Sequence, residues 1–250
     1  VEGRSDRVYI EALQAKRRDL FPVPQERKVA FWSINGISDL PNKLSYWKDI
    51  LNNIRNEKSL WEKSILLLDR DALSNEEIDA LSKSLSERYG INTIFWNAYT
   101  IESILLENLT GFCRSLAKQF CCKAEQIQQF ITQSKFSEVE FFYFQKIRFE
   151  RQREGRQKEF EVLNQNTLKS LSAHNKHERF IKGLRQQENQ FHLFFNKDDV
   201  FDLLQVIYTE FAEKENIFLA DEQRLLGVID HIDGDFWQDS WTHILQKVYG

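Results

Sequence analysis

The hydrophobic positions of the first hundred residues switch repeatedly between helical spacing and short unbroken runs. Val8, Ala12 and Leu13 fall at helical spacing within Ser5–Lys16, and Ser5 is placed to cap that helix. Val29–Ile34 has the pattern of a strand, closed by Asn35-Gly36 as a turn. Leu44, Trp47, Ile50, Leu51 and Ile54 recur every three or four residues and mark one face of a second helix. Ile65–Leu68 is continuously apolar, the pattern of a parallel strand covered on both faces. Ser74 with Glu77 forms a capping-box sequence, opening a helix through Ile78, Leu81 and Leu85 that ends near Tyr89-Gly90. Ile91–Trp96 completes the series as a short strand.

This β-α rhythm predicts an α/β fold, a mainly parallel sheet flanked by helices, over residues 1–110. Ligands gather at the carboxyl ends of the strands in such sheets. Glu2, Asp69 and Asp71 all fall at those ends, so residues far apart in sequence can converge. From Thr100 onward the strand signals fade, and no proline follows Pro41. Helices are expected over about 100–108, 110–133, 136–163, 176–189, 198–214 and 221–229, with a last one from about 235. Residues 111–250 thus form a mostly helical region that completes or caps the core. The chain begins inside its first acidic motif, so the first strand is expected to be truncated and the sequence to be a piece of a longer protein.

Hydrophobic residues make up 42% of the chain, enough for a substantial core, and no apolar run approaches the roughly 20 residues of a membrane span. No secretory leader is evident. Three cysteines, Cys113, Cys121 and Cys122, match no zinc spacing, and an odd number argues against a disulfide framework. A reducing cytoplasm is the expected home. The net charge of −4 excludes a uniformly basic nucleic-acid coat but leaves room for local basic patches.

Carboxylates at strand ends suit a hard divalent cation such as Mg²⁺ or Mn²⁺. Here they are ordered as Glu2-Gly3-Arg4-Ser5-Asp6, then Asp69-Arg70-Asp71, then Glu102 within Ile101-Glu102-Ser103-Ile104-Leu105-Leu106. That ordered set resembles the Toprim domain, shared by topoisomerases, primases, RecR-type proteins and the overcoming-lysogenisation-defect (OLD) nucleases. The OLD branch is the most similar in detail, together with related Toprim effectors of antiphage systems such as PARIS. The resemblance covers residues 1–110 well and the remainder weakly. It implies a metal-dependent nuclease that hydrolyses phosphodiesters of DNA or RNA. In that reading Glu2 and Asp69 hold one of two ions, Asp6, Asp71 and Glu102 contribute to the second, and Lys182 neutralises phosphate charge in the transition state. It also implies an ABC-type ATPase partner. No Gly-x-x-x-x-Gly-Lys-Ser/Thr loop is present, so the ATPase would be a separate subunit or part of a preceding segment, within an oligomeric assembly.

Each reading has a plainer alternative. Asp6 could serve the first turn of its helix, where the dipole favours a carboxylate. Asp69 and Asp71 could be a solvated turn, and Lys182 a surface lysine with Lys176 as its competitor. Phe141-Phe142-Tyr143-Phe144 leads into Arg148, Arg151, Arg153 and Arg156, which could track a phosphate backbone or form the charged face of an amphipathic helix. Rival functions are a topoisomerase or primase, whose nucleophilic tyrosine domain or zinc module is not evident, and a non-catalytic Toprim scaffold.

Overall fold

The computed structural model describes residues 1–21, 29–36, 39–54, 59–71, 73, 75–133, 191–193, 195–213, 216–233 and 239–249. Within them the chain is mixed α/β and mostly helical. The order is α1 (Arg4–Lys16), α2 (Leu40–Asn53), β1 (Ile65–Leu68), α3 (Asn75–Tyr89), β2 (Asn92–Phe95) and a 3-10 helix (Glu102–Asn108). There follow α4 (Leu109–Phe120), α5 (Ala124–Gln133), a 3-10 turn (Phe191–Leu193), α6 (Lys197–Phe211), α7 (Asp221–Asp230) and α8 (Asp239–Tyr249). β1 and β2 pair in parallel, Leu66 opposite Thr93 and Leu68 opposite Phe95.

β1 owes its position to two cores. Leu67 packs into the larger one with Tyr9, Ile10, Leu13, Trp96, Leu116, Leu204, Val228 and Trp241. Leu66 and Leu68 face the other way, among Leu40, Leu44, Leu51, Trp61, Leu81 and Leu85. This is the period-two alternation of a strand covered on both sides, as the apolar run predicts. All three leucines are 2–3% exposed, and burying each contributes about 1.5–3 kcal/mol. The larger core joins α1 to α4, α6, α7 and α8, so helices after residue 110 share apolar packing with the first half. Among the described residues, no helix is long and apolar enough to cross a membrane.

Several elements differ from expectation. Among the described residues only β1 and β2 are strands, whereas the sequence pattern predicts a strand at 29–34 as well. That segment does make the start of a parallel ladder: Val1 N donates to Trp32 O (3.1 Å) and Ile34 N donates to Val1 O (3.0 Å). Next along it, Gly36 N donates to Glu2 O (3.1 Å), at a turn where Asn35 and Gly36 both have positive φ (52° and 79°). The first helix is capped by Gly3 instead of Ser5. The helix expected over 110–133 is two helices, broken where Cys121 takes a left-handed φ of 53° and Cys122 N donates back to Ala117 O (3.1 Å). The segment around 100–108 is a 3-10 helix. Ser74 and the helices predicted over 136–163 and 176–189 lie outside the described residues.

Candidate metal centre

Glu2 enters the site on a fixed backbone. Its carbonyl accepts from Ser33 Oγ (3.1 Å) and from Gly36 N (3.1 Å), which holds it against the extended segment. The chain then starts α1, and Asp6 at the third helical position folds back so that Oδ2 accepts from Gly3 N (2.9 Å). Asp6 therefore does cap the helix. It is also 5% exposed, which a solvated cap would not be.

Asp69 is the first residue after β1. Its backbone N donates to Glu2 Oε2 (3.4 Å), and its own Oδ1 accepts from Ile101 N (3.1 Å). One residue thus joins the acid before α1, the end of β1 and the segment after β2. Asp71 has a left-handed φ of 48°, which aspartate tolerates better than most residues, and its N donates to Tyr99 O (2.7 Å). Tyr99 N in turn donates to His192 O (2.7 Å), so the 191–193 turn props the same loop. Arg70 sits between the two aspartates in sequence but reaches elsewhere, donating to Leu73 O (3.0 Å), Asn97 Oδ1 (3.3 Å) and Asn75 Oδ1 (2.8 Å). Glu102 opens the 3-10 helix and is 3% exposed.

The electrostatics report this crowding. Burial pushes the Asp69 carboxyl well above its ordinary range, and the charges of Glu2, Asp71, Asp6 and Glu102 push it further in the same direction. Burial raises Asp6 too, opposed by the Gly3 N–H, the Val1 ammonium and Lys197. Glu102 is raised by burial and by Asp6, against its own backbone N–H, Lys197 and Thr100. The five acids singled out in the sequence therefore share one electrostatic neighbourhood.

Lys197 is the side chain that sequence reasoning passed over. Its Nζ lies 3.6 Å from Glu102 Oε1 and 5.3 Å from the centroid of the Phe201 ring. The sequence does hold a weak signal: a cation in the first turn of a helix opposes the dipole, so it needs an acid nearby. Lys182, Lys176, Arg148, Arg151, Arg153, Arg156 and the Phe141–Phe144 run lie outside the described residues.

The donor set is all carboxylate oxygen, buried at Asp6 and Glu102 and partly buried at Glu2, Asp69 and Asp71, which fits a hard divalent cation in kind. As the side chains stand, no three Asp, Glu, His or Cys among the described residues are disposed to hold one ion together. Compared with protein-family models, curated proteins and solved structures, the chain finds no match.

Proposed function

We propose that the chain is a Mg²⁺- or Mn²⁺-dependent nuclease of the Toprim/OLD type, the effector of an ATPase-controlled antiphage system. The observation that carries the reading is Asp69: its N–H meets Glu2, its carboxyl meets the segment before Glu102, and four other acids bear on its charge. The motif order that resembles Toprim and the convergence of those motifs are independent supports. A parallel β1–β2 pair with Asp69 just past its carboxyl end agrees with a Toprim sheet without distinguishing it from other α/β folds.

In this reading Glu2 and Asp69 would hold one divalent cation, and Asp6, Asp71 and Glu102 would contribute to a second. The bound cation supplies Lewis-acid stabilisation of a phosphodiester and activation of a water. The chain's residues do the positioning. The Asp69 N–H orients Glu2, the Ile101 N–H fixes one oxygen of Asp69, and the Gly3 N–H fixes one oxygen of Asp6. Lys182 and the arginines from 148 to 156 remain part of the proposal, as phosphate-neutralising and strand-tracking groups. The ATPase, as a partner subunit or a preceding segment, would hold the nuclease in check.

One observation favours a second reading. The acids are not arranged to share an ion as they stand, as a non-catalytic Toprim scaffold would allow. The test incubates the full-length protein, with any partner ATPase, with supercoiled plasmid and with total tRNA in Mg²⁺ or Mn²⁺. Cleavage by the wild type and none by Glu2→Ala identifies the nuclease and its substrate class. Equal cleavage by both proteins, or none with either nucleic acid, removes the reading in favour of the scaffold.

A further inference from the structure

Among the described residues, the Val1 amino group and Lys197 both bear on Asp6. Lys197 is the one delivered by a distant element. It occupies the first turn of α6, where Asn196 Oδ1 accepts from Asp199 N (2.9 Å) and Asp199 Oδ2 accepts from Asn196 N (3.0 Å). That reciprocal cap fixes the helix start, and Val200 and Leu204 behind it are fully buried. Lys197 is therefore presented to Glu102 by a rigid element, with its ammonium between a carboxylate and the Phe201 ring. The Glu102 side chain is 4% exposed while that of Lys197 is 41% exposed. A buried acid is thus met by a cation that keeps a path to solvent.

This asymmetry suits exchange. A buried carboxylate without a counter-charge is expensive, whereas a half-exposed ammonium on a four-carbon stem can swing into water at little cost. Building on the metal-site reading above, we propose that Lys197 is the resident counter-ion of the Glu102–Asp6 end of the cluster, released to solvent when a divalent cation binds there. Lys197 then sets the affinity of that end, leaving the Glu2–Asp69 end to fill first. The lysine is a positioning and gating residue, because it acts through Glu102 and not on a substrate.

The experiment titrates Mn²⁺ into the full-length protein by calorimetry and follows thermal melting with and without Mn²⁺. The proteins are wild type, Lys197→Met and Lys197→Arg. Methionine keeps the stem over Phe201 and removes the charge. The wild type is expected to show one tighter and one weaker Mn²⁺ event. Lys197→Met should melt lower in chelator, regain the difference in Mn²⁺, and bind the weaker ion about tenfold more tightly. Lys197→Arg should stay like the wild type. Weaker-site affinity unchanged in Lys197→Met, with wild-type binding intact, overturns the exchange alone. Absence of any Mn²⁺ binding by the wild type overturns both the exchange and the metal-site reading. A lysine that merely supports the fold would lower the melting temperature of Lys197→Met equally in chelator and in Mn²⁺.

Discussion

Replacing Asp69 with asparagine should stabilise the metal-free protein and abolish its response to metal. Asparagine keeps an Oδ1 acceptor for the Ile101 N–H, now 3.1 Å from Asp69 Oδ1, so the local bond survives. What disappears is one negative charge pushed upon by Glu2, Asp71, Asp6 and Glu102. Two like unit charges about 6 Å apart repel by about 3 kcal/mol at an effective dielectric near 20. Relaxation and counter-ions will absorb part of several such terms, leaving a net gain of about 1–3 kcal/mol. For a chain of this size that corresponds to a rise in Tm of about 2–12 °C.

The pH dependence supplies an internal control. A carboxyl whose folded pKa is raised favours folding below its unfolded pKa of about 3.9, and that contribution is lost as pH rises through the folded value. The advantage of Asp69→Asn should therefore be absent near pH 4 and grow toward neutrality. Scanning calorimetry in EDTA at several pH values measures it. Saturating Mn²⁺ at the Asp69 site, at about 100 times its Kd, should then add about 2.7 kcal/mol to the wild type and not to the variant, offsetting most or all of the variant's advantage. A variant less stable than the wild type in EDTA at neutral pH would refute the crowding argument. Equal Mn²⁺ shifts in both proteins would refute Asp69 as a ligand.

Three further outcomes are expected. A Cβ on Gly3 would lie 2.9 Å from Asp6 Oδ1, so Gly3→Ala should displace that carboxylate, weaken the cap by about 1 kcal/mol in urea unfolding and lower Mn²⁺ affinity. Leu67→Ala removes a side chain 3% exposed in the larger core and should lower unfolding free energy by about 2–5 kcal/mol, again by urea titration. His192 is held down from 6.5 to about 4 by burial and by Arg70, so the unfolded chain binds its proton more readily. Stability present above about pH 6.5 should be lost as pH falls toward about 4, by about 3 kcal/mol, and His192→Gln should flatten that slope in unfolding curves.

The acids were legible in the sequence for a reason that also explains their crowding. β1 is covered on both faces, Leu67 by one core and Leu66 and Leu68 by the other, so it had to appear as an unbroken apolar run. Asp69 and Asp71 stand out because polarity returns abruptly at its end. The segment predicted as a strand at 29–34 pairs with Val1 through two backbone bonds, and the turn read from Asn35-Gly36 does close it, with φ of 52° and 79°. Lys197 was illegible because its partner, Glu102, is 95 residues away, and only the packing of α6 against the 3-10 helix unites them. The same two-sided packing prevents the acids from relieving their repulsion by moving apart. Asp69 cannot retreat without dragging β1 out of two cores, and Glu2 is tied by its carbonyl to Ser33 and Gly36. The least costly relief left to such a cluster is a cation, and the Lys197 ammonium, 3.6 Å from Glu102 Oε1, already supplies one at the Glu102 side.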